Sequence, residues 1–450
     1  MSDAALPRHV YDSAVDRLQR LVALPSVAAD GRAIPETADA VAALLREDGF
    51  APVLHDTGGA PVVHARHEVP GAPTLLLYNH YDVQPEDPLD AWDSPPFDLT
   101  ERDGALYGRG AADDKGELVS RLAALRLFRE RHGELPFGVA FLIEGEEEIG
   151  SPHLPAYVRD HAQDLRADGC LWEFGSVDAQ DRPVTYAGMK GILTVELHVR
   201  TADRDLHSSF GSVADDAAWR MSAAVASLRD ADGTVAIDGF RDGMEAPSER
   251  ALAYVDALPG EEEELRSVFG VRAWQGGLRG NAWKRALYLE PTLNVNGVHA
   301  GYGGEGAKTV LPCEATAKLD LRLVPGQDPL AVRTALERHL ERHGFSDVQV
   351  IPLQHAEPAA RSDLSDPIFG HAVQALSEVY GQAPAVLPNS PGSGPAHPFV
   401  VGLGVPIVGI GCGYPGSRIH GPNEHLRIRD LHRGTLATTR FLEVWSGVRP

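Results

Sequence analysis

Apolar residues recur at helical spacing from Val10 to Val22 and again from Glu36 to Arg46, where Gly49 ends the second run. Two short β-rich stretches follow, Pro61–Ala65 and Thr74–Tyr78. The second is almost wholly apolar and predicts a strand buried on both faces. A long helical pattern runs from Glu117 to Arg131, with Leu118, Leu122, Leu125 and Phe128 on one side. An apolar strand Phe137–Ile143, a helix through Tyr157 and a strand Cys170–Trp172 complete this section. Strands alternating with helices predict an α/β domain on a mostly parallel sheet, whose functional residues belong at the C-terminal ends of the strands.

The texture changes at Met189. Ile192–Val199 alternates apolar and polar residues, as a half-exposed antiparallel strand does, and we expect it at an open sheet edge. A helix around Asp215–Leu228 and an irregular section with the acidic run Glu261–Glu264 come next. Alternating strands Leu293–Val298 and Ala315–Leu323, a helix Pro329–His343 and a strand Val348–Pro352 predict a small inserted α+β domain. From Asp366 the first texture resumes, with a helix to Tyr380, an apolar strand Val405–Ile410 and a last helix Asp430–Val444. The expected organisation is a catalytic domain at 1–189 and 358–450, with a lid or dimerisation domain at 190–357 between.

A chain of 450 residues exceeds what one core usually serves, which agrees with two domains. The formal charge of −23 argues against nucleic acid, because phosphate binding needs a basic face. No window approaches the ~18 apolar residues of a membrane span, and Met1–Tyr11 lacks the apolar core of a secretory signal. The three cysteines, Cys170, Cys313 and Cys412, are odd in number and far apart; they suit buried thiols in a reducing cytoplasm.

Three familiar chemistries fail on spacing. Gly301–Thr309 misses a phosphate-binding loop because Ala307 separates Gly306 from Lys308 and no helix is predicted after it. Gly392-Ser393-Gly394 is flanked by Pro391 and Pro395 where a nucleophile elbow needs glycine. There is no His-Glu-x-x-His.

Five other groups fall at strand ends. His80-Tyr81-Asp82 follows the buried strand, and extended alternation puts His80 and Asp82 on one side. Asp113 and Asp114 precede a helix, read either as an acidic cap or as a metal ligand at a strand-to-helix junction. Glu144, Glu146, Glu147 and Glu148 crowd four carboxylates that a cation would relieve. Glu173 follows Trp172, and His420 to Glu424 follow a glycine-rich turn.

In order and spacing, His80-x-Asp82, Gly108-Arg-Gly-Ala-Ala-Asp113-Asp114-Lys-Gly116, Glu144-Gly-Glu-Glu147-Glu148-x-Gly-Ser151 and His420-x-Pro-Asn-Glu424 resemble the co-catalytic zinc peptidase family. That family holds carnosine dipeptidase, bacterial dipeptidases, aminoacylase, acetylornithine deacetylase and succinyl-diaminopimelate desuccinylase. The likeness covers nearly the whole chain. It implies two zinc ions per subunit, with Mn or Co also fitting: His80, Asp113 and Glu173 on one, Asp113, Glu148 and His420 on the other, Asp113 bridging. It implies Glu147 as general base and Asp82 as the residue that orients His80. The Asp113–Asp114 peptide is expected to be cis and Asp114 to be structural. His207 is implied as an oxyanion donor reaching the partner subunit of a homodimer. Arg322, Gly392 and Ser393 are implied as anchors of a substrate carboxylate, with Thr309 adding a hydroxyl. The ligand set suits Zn²⁺, which accepts imidazole and carboxylate and leaves room for water.

Glu173 departs from the dipeptidase members, which tend to have Asp there, and matches carboxypeptidase and acylase-like members. The flanking motifs and the large insertion look like the dipeptidase branch. The expected substrate is therefore a short peptide with a free carboxyl end, or an N-acyl amino acid.

Overall fold

The computed structural model describes residues 5–353 and 356–448; Met1–Ala4, part of the stretch read for a secretory signal, lie outside them. The chain forms two compact units, one of residues 1–188, 361–389 and 395–450, the other of 189–360 and 390–394. The expected inserted segment stops at 357, whereas the second unit continues to 360 and also takes Ser390–Gly394. Those five residues transfer because Ser390–Ser393 pairs in parallel with the strand Gly188–Arg200.

The first unit is built on a six-stranded sheet in the order Val53–His55, Val62–His67, Gly138–Glu144, Thr74–His80, Gly169–Trp172, Ile407–Gly409. The last four strands are mutually parallel, and Val62–His67 runs antiparallel to both of its neighbours, so the sheet is mixed at one edge only. Thr74–His80 lies inside it with every residue after Thr74 buried, as its apolar run requires. Helices Arg8–Val22, Lys115–His132 and Ile428–Ser446 pack together in this unit. Register sets His80 opposite Glu144, which places the ends of the two central strands level.

The second unit has its own sheet, ordered Thr292–Ala300, Glu314–Leu323, Gly188–Arg200, Gln349–Pro352. Leu193, Val195, Leu197, Leu319, Leu321 and Leu323 line one face, packed with residues of helices Ala217–Ser227 and Pro329–Arg342. The expectation that Ile192–Val199 forms an open edge is overturned: this strand pairs with neighbours on both sides. Alternation reports a half-buried face, which an inner strand of a one-faced sheet also has. The long edge is Thr292–Ala300, exposed over most of its length. The section read as irregular contains helices Glu249–Ala257, Glu262–Val268 and Gly280–Leu289. The acidic run supplies the first turn of the second of these, where carboxylates favour the helix dipole.

Candidate active site and metal centre

Parallel strands deliver the first unit's chemistry to one sheet edge. His80 ends its strand; Glu147 and Glu148 follow Glu144 in a short 3₁₀ turn, Glu147–Ile149; Glu173 follows Trp172. Gly145 lets this turn form, since a Cβ there would lie 2.3 Å from the Tyr81 ring. Asp113 precedes the helix Lys115–His132, and the Asp113–Asp114 peptide is cis. His420 sits at φ 64°, a left-handed conformation that non-glycine residues hold only where surrounding structure enforces it.

The two oxygens of Asp113 face different histidines. Oδ1 stands 3.0 Å from His80 Nε2, and Oδ2 stands 3.2 Å from His420 Nε2. The same His420 nitrogen is 3.1 Å from Glu148 Oε2. Ligand atoms of His80, Asp113 and Glu148 all lie within 4.8 Å of one another. Glu173 is buried, and its Oε2 has no hydrogen-bond partner among the described residues.

Electrostatics point the same way. Burial pushes the Glu147 carboxyl well above the usual range, and the Glu173 charge adds to it. Burial likewise raises Glu173 and Glu148, reinforced by charge on Asp113. For Asp113 burial is outweighed by the hydrogen bonds of His420 and His80, which hold it below the usual range. Buried Glu173, the partly buried carboxylates of Asp113, Glu147 and Glu148, two imidazoles and an unsatisfied carboxylate oxygen form a donor set that fits divalent metal ions, because cations remove the mutual repulsion.

Supporting contacts hold this set in place. His80 Nδ1 is 3.3 Å from Asp82 Oδ1 and 3.1 Å from the Asp82 carbonyl oxygen. Asp82 also accepts the backbone N–H groups of Glu147 and Glu148, at 3.3 and 3.0 Å. Asp114 accepts from Asn79 Nδ2 at 2.6 Å and from the His80 backbone N–H at 3.0 Å.

The roles of three residues here escape sequence reasoning. Gln84 donates to Glu148 Oε2 at 2.9 Å. Arg121, fully buried, donates to the carbonyl oxygens of Tyr78 and Trp172 and to Asn79 Oδ1, tying two strand ends together. Glu424 accepts the N–H groups of Gly110, Ala112 and Asp113 at 3.0, 2.9 and 3.1 Å, and pairs with Arg109 at 2.7 Å. The only signal available for Glu424 was its place in the His420–Glu424 motif.

Within the second unit, Arg322 donates to Ser393 Oγ at 2.7 Å, with Gly392 adjacent in the same strand. His207 is exposed at the end of the short strand Leu206–His207, its Nδ1 2.9 Å from Ser209 Oγ. The Thr309 carbonyl oxygen accepts the Ser208 N–H at 3.2 Å, so His207 and Thr309 belong to one loop pair. Cys170 and Cys412 are buried, but Cys313 is only partly so.

A parallel sheet ending in imidazoles and carboxylates around one shared aspartate defines a metal-dependent hydrolase. Residues 76–444 match peptidase family M20/M25/M40, and the chain belongs to that family. It is similar to the structure of an M20 family metallo-carboxypeptidase from Sulfolobus solfataricus, at 35% identity, TM-score 0.91, covering 97% of this chain and 99% of the other. It is also similar to the di-peptidase Dug1p of Saccharomyces cerevisiae, at 25% identity and TM-score 0.81, covering 98% of each. The Beta-Ala-His dipeptidase of Rattus norvegicus is 28% identical over 334 residues; the match spans 71% of this chain and 66% of that protein. No helix of the described residues is long and apolar enough to cross a membrane.

Proposed function

We propose that this enzyme hydrolyses the amide bond of dipeptides and short peptides that carry a free C-terminal carboxylate. The observation that carries the reading is the division of labour between two adjacent carboxylates. Glu148 stands with His420 and Asp113, whereas Glu147 makes no ion pair among the described residues. His80, Asp113 and Glu173 would hold one metal ion, and Asp113, Glu148 and His420 the other, zinc being the first candidate and Mn or Co also suited. Bound there, the ions supply Lewis acidity toward the scissile carbonyl and lower the pKa of water toward ~7.

Glu147 accepts a proton from the attacking water and passes it to the nitrogen that leaves. A carbon–oxygen bond forms, the carbon–nitrogen bond breaks, and the products are an amine and a carboxylic acid. Asp82 fixes the His80 ring and, through two backbone N–H groups, the turn that carries Glu147. Arg322, with Ser393 and Gly392, holds the substrate carboxylate, for which a planar guanidinium is suited. Thr309 adds a hydroxyl to substrate binding. His207 donates to the developing oxyanion, and we assign it to the neighbouring subunit's site in a homodimer. Three cysteines without disulfides fit a cytoplasmic location.

The names of the yeast and rat relatives support dipeptidase action, and that of the archaeal neighbour supports removal of a C-terminal residue; both need a free carboxyl end. Glu173 favours a second reading, deacylation of N-acyl amino acids. A panel of dipeptides against the matching N-acetyl amino acids, read by amine release with added Zn²⁺, Mn²⁺ or Co²⁺, separates them. Dipeptides as the faster substrates support the first reading, and faster release from the acetylated set replaces it with the second.

A further inference from the structure

In the second unit's sheet, Arg322 lies opposite Thr292 on one side and Ile192 on the other. Ile192 in turn lies opposite Glu357, exchanging two backbone hydrogen bonds of 2.8 and 2.9 Å with it. Directly opposed residues share a face, so Thr292, Arg322, Ile192 and Glu357 form one row across the sheet. Their chain neighbours Leu193, Leu293, Leu321 and Leu323 enter the core on the other side. The row therefore lies on the face away from that core.

No hydrogen bond or ion pair among the described residues accounts for the second carboxylate oxygen of Glu357. It is half-buried, its Oε2 is sealed from solvent, and that oxygen accepts no hydrogen bond among the described residues. Burial pushes its carboxyl up to about 7, against the pull of Arg322. Arg322 does not need it for neutrality: the guanidinium Nε already lies 3.7 Å from Asp320 and the group donates to Ser393. Asp320 is itself fixed by Asn294 and Asn296, at 2.9 and 2.7 Å. A partly desolvated carboxylate with an oxygen that accepts no hydrogen bond is costly, and an arriving cation removes the cost.

We propose that Glu357 is a specificity-determining residue that receives a cationic group of the substrate while Arg322 and Ser393 hold its carboxylate. Opposite charges then sit two strand spacings apart, roughly 9–10 Å between backbones. Inward-reaching side chains shorten that gap toward the roughly 7 Å that two extended residues span. The cation is an ammonium or guanidinium, and it has two sources: the side chain of a basic C-terminal residue or the free α-amino group of a dipeptide. The inference rests on the carboxylate-anchoring reading of Arg322 given above.

The test compares glycyl-lysine, glycyl-norleucine and their N-acetyl forms on the wild-type metalloenzyme and on Glu357→Gln. Glu357→Met serves as a second uncharged variant of similar length. A charge-assisted contact of this kind corresponds to about 10- to 100-fold in relative kcat/KM, expressed mainly in KM. Loss of the lysine-over-norleucine preference by that factor assigns the side-chain source. Loss of the free-amine-over-acetyl preference assigns the α-amino source. If neither ratio moves in either variant, Glu357 has no such role. Calorimetric binding of the same four compounds to wild-type and variant proteins decides the point without turnover. A wild type that binds glycyl-lysine through Glu357 but hydrolyses no peptide overturns the dipeptidase reading alone.

Discussion

Glu424 accepts the backbone N–H of Asp113 at 3.1 Å, across 311 residues of sequence. With Gly110, Ala112 and Arg109 on the same carboxylate, it fixes the loop that delivers the proposed bridging ligand. Glu424→Gln keeps the shape but loses the charge that faces Arg109, and should weaken metal affinity about 10- to 100-fold. Glu424→Ala leaves a buried guanidinium unpaired and should cost about 3–5 kcal/mol of stability. Metal titration and denaturant unfolding read the two effects separately; unchanged metal affinity in the Gln variant would remove Glu424 from the positioning network.

Glu147 stands beside Glu148, a proposed metal ligand, without sharing its contact to His420. Glu147→Gln should retain the metal content of the wild type and lose about 10²- to 10⁴-fold in kcat. Near-normal turnover would reassign the base within Glu146–Glu148.

Asp113 faces both His80 and His420, so Asp113→Ala should lose both ions together, while His80→Ala and His420→Ala each weaken mainly one. Elemental analysis of dialysed protein measures this directly. Chelation should also lower the unfolding midpoint, because ions that bind only the folded chain add to its stability. A single tightly held ion in the wild type contradicts the shared-ligand arrangement.

The proposed ligands were legible because each falls at the end of a recognisable strand or turn, where an open α/β sheet gathers its chemistry. The roles of Glu424 and Arg121 were not, although Glu424 stands in a recognised motif, because their work is done on backbone groups that only the folded chain brings near. Ile192–Val199 shows a different limit. Its period of two fixes which face is buried and says nothing of whether the strand is inner or edge. The helices at Glu249–Ala257 and Glu262–Val268 are too short for a clear 3.6-residue period. Ser390–Gly394 joined the second unit through strand pairing that no local pattern encodes.

Glu117 gives a pH prediction away from the metal ligands. It is buried, accepts the Cys412 N–H at 2.6 Å, and burial raises its carboxyl from 4.5 to about 8. The folded chain therefore holds this proton more tightly than the unfolded chain. Its contribution to stability is complete below 4.5 and is lost as pH rises through about 8. Glu117→Gln should remove that slope, up to about 1.4 kcal/mol per pH unit within the window. Denaturant unfolding of both proteins between those limits checks it, and parallel stability curves would contradict the assignment.

The exposed edge strand Thr292–Ala300 carries Val295 and Val298, 45% and 55% exposed, and an uncovered edge of this length invites pairing with another chain. Edge-to-edge pairing about a two-fold axis would join two copies in the arrangement commonest among homo-oligomers. Val295→Lys with Val298→Lys should then shift sedimentation from dimer to monomer, since lysine on an edge opposes such pairing. The role proposed for His207 adds a second readout. Mixing inactive Glu147→Ala subunits with inactive His207→Ala subunits should restore about a quarter of wild-type activity, because half the dimers are then mixed and each has one intact site. Confirmed subunit exchange with no recovery, or full activity in a monomer, would leave His207 an exposed loop residue with its bond to Ser209 and no part in the neighbouring site.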